Sequence, residues 1–129
     1  MTTLQRCIDE LLVHGCDDWV QAAEVASIAI EVGEATGQDA IRELSLELIR
    51  QVVRQGLMEL GDVDVWGARE SNWGFRKWDL PLEEGLERVE REWKALRKNP
   101  GLWQICWLRN TERGKEIGER LLKERGYAS

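Results

Sequence analysis

Apolar residues recur at helical spacing in five stretches of the chain. Over residues 40–61, Ile41, Leu44, Leu48, Ile49 and Val52 share one face, Gly56 supplies a stop, and the run Leu57, Met58, Leu60 follows at once. This pattern predicts a helix that passes directly into a strand. Upstream, residues 2–14 predict a first helix capped by Thr2 or Thr3, with Leu4, Ile8, Leu11 and Leu12 inward and Gly15 as terminator. Asp18 with Gln21 fits a capping box for a second helix that is apolar on nearly every side and ends at Gly33. Thr36-Gly37-Gln38-Asp39 opens the third.

Residues 61–79 have no helical period and contain three glycines and three tryptophans, which predicts a long loop or an irregular hairpin. Asp79 and Pro81 then start a helix with Glu83 and Glu84 in its first turn, where the backbone dipole favours acids. Leu82, Leu86, Val89, Trp93 and Leu96 form its apolar stripe, and Asn99-Pro100-Gly101 stops it. Residues 102–108 read as a strand. Thr111 caps a last helix with Ile117, Leu121 and Leu122 inward and Gly126 at its end. The expected fold class is α+β, mostly helical, with about five helices and a small antiparallel sheet in one domain over residues 1–129.

A chain of 129 residues can bury a core without staples, and 43% hydrophobic with 33% charged residues excludes a disordered chain. No apolar run approaches the roughly 18 residues of a membrane span. The first ten residues lack the basic and apolar regions of a signal peptide, so a cytoplasmic location is expected. Cys7, Cys16 and Cys106 have no zinc or redox spacing and read as reduced thiols. The net charge of −6 is concentrated: residues 1–36 hold seven acids against Arg6 alone, leaving 17 acids and 17 bases in the remainder. Such a start repels phosphate and attracts a basic partner.

Two short motifs carry a resemblance. Gln55-Gly56-Leu57-Met58 at the exit of the third helix and Thr111-Glu112-Arg113-Gly114 after the last strand resemble the winged-helix family, in which a recognition helix steps into a wing and a wing strand leads into a helix. The resemblance covers residues 2–61 and 102–125 and implies a helical insertion, about 62–101, between the wing strands. It also implies DNA binding through the third helix, where Arg42, Arg50 and Arg54 are the candidate contacts. That helix carries Asp39, Glu43 and Glu47 as well and is neutral, whereas affinity for DNA rests largely on unopposed Lys and Arg.

The chemistry-bearing residues point elsewhere. Asp62 and Asp64 lack the further oxygen ligands of a calcium loop, and His14, Cys16 and Asp17 lie too close in sequence for a triad, so no catalytic residue, metal or cofactor is expected. Six of the seven tryptophans fall between Trp66 and Trp107. Trp93 and one of Trp103 or Trp107 are expected in the core. Trp66, Trp73 and Trp78 stand beside Arg69 and Arg76, and tryptophan with arginine is the composition of interface hot spots. With Asp9, Glu10, Asp17 and Asp18 they make the candidate partner-binding set. The expected function is a non-catalytic acidic protein-binding module, such as an immunity or antitoxin-type inhibitor or a regulatory adaptor engaging a basic partner. The alternative is a winged-helix transcriptional regulator, with a homodimer as a further expectation.

Overall fold

A computed structural model describes residues 1–65 and 73–126. Five helices and four strands follow one another as α1 (Thr3–Asp17), β1 (Val20–Gln21), α2 (Ala22–Glu31), α3 (Gln38–Arg54), β2 (Met58–Val65), β3 (Trp73–Lys77), α4 (Leu82–Leu96), β4 (Trp107–Asn110) and α5 (Glu112–Glu124). The fold is α+β and mostly helical, as the periodicity predicts. No helix among the described residues is long and apolar enough to cross a membrane.

Thr2 caps α1, its hydroxyl accepting from the Gln5 N–H at 3.0 Å. The helix does not stop at Gly15. It runs on to Asp17, and the missing side chain of Gly15 makes room for Asn110, whose Cγ stands 2.7 Å from where a Cβ would be. The capping box also lies later than expected: Gln21 is the cap of α2, its N–H donating to the Glu24 carboxylate at 3.3 Å, while Asp18 accepts from the Trp19 N–H. Val20 and the cap residue Gln21 form β1, which the short apolar pattern did not reveal. α2 buries Ala22, Val25, Ala26, Ile28 and Ala29 but leaves Ser27 and Ile30 exposed, so one side of it is open.

α3 ends as predicted. Gly56 takes a φ of 71°, a left-handed turn that glycine adopts at little cost, and Leu57 leads into β2. The region expected as a loop or irregular hairpin is a hairpin: β2 and β3 pair antiparallel from Gly61↔Lys77 to Val65↔Trp73. α4 stops at Arg97, itself left-handed with a φ of 57°, ahead of the Asn-Pro-Gly signal.

The strand expected over residues 102–108 is corrected to Trp107–Asn110. Trp103 and Ile105 sit at φ 67° and 71°, which breaks any extended run before Cys106. α5 faces as expected in part: Ile117 packs half-buried against the core and Leu121 and Leu122 are half-buried, while the positions it buries fully are Gly114 and Gly118.

The strands form one antiparallel sheet in the order β1-β4-β2-β3. Register places Val20 opposite Leu108 and Leu108 opposite Leu60, so these share the inner face with Met58. All four are buried in the core with Leu11, Leu12, Leu48, Ile49, Val52, Val89 and Trp93. The other face carries Gln21, Trp107, Arg109, Glu59, Gly61, Val63, Phe75 and Lys77.

Glu59 is the ionic centre of that outer face. Its carboxylate accepts from Lys77 and Arg109, each at 3.1 Å, from the strands on either side. Burial pushes its pKa up, and the two cations outweigh that and hold it below the usual carboxylate value. A carboxyl depressed in the folded state stabilises fully above its unfolded pKa, about 4.3, and loses that contribution as pH falls through the folded value. Calorimetry between about pH 5 and pH 3 should therefore show a steeper fall in Tm for the wild type than for Glu59→Gln. Equal slopes would remove the ion-pair account.

Candidate protein-binding surface

The acidic end of α1 builds the first candidate surface. Residues three and four apart on a helix share a face, and here Glu10, Val13, His14, Asp17 and the adjoining Asp18 meet Glu24 of α2 and Arg125 beyond α5. They line an open groove of about 440 Å³. Glu10 is half-buried, bridged to Arg125 at 3.0 Å and to His14 at 3.3 Å. The second nitrogen of His14 stands 3.7 Å from Glu24. Asp17 and Asp18 are exposed, and among the described residues neither pairs with a cation. Asp9 does not belong to this surface: it is 9% exposed and accepts from Gln5 Nε2 at 2.8 Å, so it is corrected to an internal helix contact.

The tryptophan set divides. Trp78 is 6% exposed, its backbone N–H donating to the Leu60 carbonyl and its ring covered by the Arg88 guanidinium at 3.9 Å, so it is a core residue and not a contact. Arg76 is exposed and paired with Asp64 and Asp62, which explains the Asp-x-Asp pair as a cross-strand ion cluster. Trp66 and Arg69 lie outside the described residues, as does the side chain of Trp73, whose backbone opens β3. Neither Trp103 nor Trp107 joins Trp93 in full burial.

On α3 every candidate DNA contact is already engaged. Arg42 reaches Asp39 at 3.5 Å and Glu43 at 3.4 Å. Arg50 bridges Glu47 at 3.4 Å and Glu90 of α4 at 3.1 Å. Arg54 donates twice to Glu83 of α4, at 3.0 and 2.7 Å. That paired donation holds Arg54 above and Glu83 below their ordinary pKa values.

The nucleophile candidates are quiet. Cys7 and Cys106 are buried, and burial pushes both thiols up, Cys106 strongly. Burial and the nearby Glu119 do the same to half-buried Cys16. Thiolate, the reactive form, is thereby suppressed at all three. Among the described residues no group of three or more His, Cys, Asp or Glu could hold a metal ion.

The chain's pattern does not reveal a second group of aromatics, in which Trp103 is exposed and Trp19, Phe75 and Trp107 are half-buried. Trp19 comes within 6.0 Å of the Phe75 ring, and Trp103 meets Trp107 edge-on at 5.2 Å. The available signal was alternation: Trp19 with Gln21, and Trp107 with Arg109, each two residues apart and hence on one strand face. Comparison of the chain with protein-family models, with curated proteins and with solved structures finds no match.

Proposed function

We propose that this chain is a non-catalytic protein-binding module whose acidic α1 end engages a basic partner, in the manner of an immunity or antitoxin-type inhibitor or a regulatory adaptor. The observation that carries this reading is the exposed pair Asp17 and Asp18, bridged to no cation among the described residues, at the mouth of a groove that also holds Glu10 and Glu24. Two adjacent carboxylates with no bridging cation among the described residues keep their field for an incoming cation, which steers association and fixes register. A cytoplasmic location goes with this reading, since three free cysteines remain reduced there.

The winged-helix resemblance gains support from the antiparallel pairing of β2 with β4, the strands that carry its two motifs, with β3 and α4 as the insertion between them. Its DNA-binding corollary is the second reading. Against that corollary, α4 supplies Glu83 and Glu90 to Arg54 and Arg50, so the insertion neutralises the cations that phosphates would need.

Purification from the native cell should recover one stoichiometric basic protein, and Asp17→Lys with Asp18→Lys should weaken that complex by tenfold or more, on the order of two lost charge pairs. A shift of random duplex DNA at low salt with a steep salt dependence would instead favour the regulator.

A further inference from the structure

The chain holds one histidine, and the fold sets it in the acidic groove. Histidine is the side chain whose ordinary titration falls between pH 5 and 8, whereas carboxylates stay ionised and lysine and arginine stay protonated through that window. Cys16 lines the same groove and is kept as a thiol, because burial and Glu119 push it up from the ordinary value. The charge of the groove therefore varies through His14.

Its two ring nitrogens face carboxylates from different elements. Nε2 stands 3.3 Å from Glu10, one turn earlier on α1, and Nδ1 stands 3.7 Å from Glu24 of α2. Other contacts set both carboxylates in place: the second oxygen of Glu10 pairs with Arg125 at 3.0 Å, and that of Glu24 accepts from the Gln21 N–H at 3.3 Å in the α2 cap. A neutral imidazole has one N–H and one lone pair, and an ionised carboxylate only accepts, so the neutral ring serves one carboxylate and turns a lone pair toward the other. The imidazolium presents an N–H to each. The remaining charges around the ring are Asp17 on its own helix, Asp18 in the link to β1, and Arg125 beyond α5. Past Cys16, Lys115 and Glu119 of α5 oppose one another. The groove thus holds four carboxylates against Arg125, and a proton on His14 reduces that excess from three charges to two.

We infer that His14 is a proton-operated switch on the acidic groove. With a proton taken from solvent, the ring spans Glu10 and Glu24, ties α1 to α2 and weakens the field offered to a basic partner. Without it, the charge facing Glu24 is gone and the full field returns. Docking is therefore tighter in neutral than in mildly acidic solution. This rests on the basic-partner reading and adds how that docking is regulated.

Capped tetralysine, whose own charge is constant over the range, is the probe, titrated by calorimetry at low salt at about pH 5.5 and about pH 7.2. The wild type should bind about threefold more tightly at the higher pH, the scale of one exposed charge pair. His14→Gln should bind at both pH values as tightly as the wild type does at the higher one, and His14→Arg should bind weakly at both. Nitrogen-resolved NMR of the single imidazole reads the same event without a variant: the midpoint of the ring titration should coincide with the midpoint of the affinity change. Equal pH dependence in the wild type and His14→Gln, tighter binding at the lower pH, or a ring titration that does not track the affinity overturns the switch. Loss of binding in Asp17→Asn with Asp18→Asn would then leave the basic-partner reading standing on its own. Failure of tetralysine to bind at either pH overturns the two together.

Discussion

Trp93→Ala is expected to cost about 4 kcal/mol of folding free energy. At roughly 4 °C per kcal/mol for a domain of this size, that is a fall in Tm of about 15 °C. Trp93 is 1% exposed and sits with Leu86 and Val89 on the buried side of α4. Truncation leaves a void the size of an indole between α4 and the rest of the core, and packed interiors collapse only partly into such voids. Trp93→Phe should behave differently. Among the described residues the indole Nε1 has no hydrogen-bond partner, so phenylalanine removes a buried unsatisfied donor along with one ring, and the two effects partly cancel. The phenylalanine variant is expected to lose about 1 to 2 kcal/mol. Thermal melts of the pair test this directly: a cost under about 1 kcal/mol for Trp93→Ala would mean that α4 is not docked as described.

Gly114→Ala is the second large effect, about 3 kcal/mol and a Tm lower by about 12 °C. A glycine to alanine change in a helix interior ordinarily stabilises by up to about 1 kcal/mol, so propensity alone gives the opposite sign. Here the new Cβ would overlap the Leu57 carbonyl oxygen, a backbone atom that cannot swing aside. One turn on, a Cβ at Gly118 would stand 2.8 Å from the Leu12 carbonyl oxygen. The two glycines therefore form a flat strip on which α5 lies directly against α1 and the start of β2. Gly118→Ala should lose stability in the same direction, and a rise in Tm for either variant would sink the close-approach account.

These two residues also show what the sequence could and could not tell. Trp93 was legible, because Leu86, Val89 and Trp93 repeat at helical spacing and a stripe of that kind needs a partner surface. Gly114 and Gly118 were not, because absence of a side chain carries no hydrophobic signal, whereas Ile117, Leu121 and Leu122 carry one. The same reason hid Gly15, read as a stop although it is a contact. β1 escaped because two residues cannot establish a period of two. β4 was placed too early because composition favours a strand from Leu102 onward, while the deciding fact is the backbone at Trp103 and Ile105, which side-chain type opposes. At the candidate surfaces, the acidity of the first quarter was legible and led to Asp17 and Asp18. Trp78 misled, since an aromatic in a glycine-containing stretch looks the same in sequence whether it folds inward or outward.

The order β1-β4-β2-β3 has a bearing on how the chain acquires its shape. β2 and β3 are neighbours in sequence and can pair as soon as both exist. β1, by contrast, pairs with β4 at the end of the sheet, and Val20 waits for Leu108. Closing that loop costs entropy before any contact repays it, so the β1 end of the sheet is a late event by topology. Until then the edges of β2 and of β1 that β4 will occupy stand unpaired in a nascent chain whose first three helices are already made. A ribosome-bound chain that stops short of residue 107 is therefore missing the strand that joins its two halves.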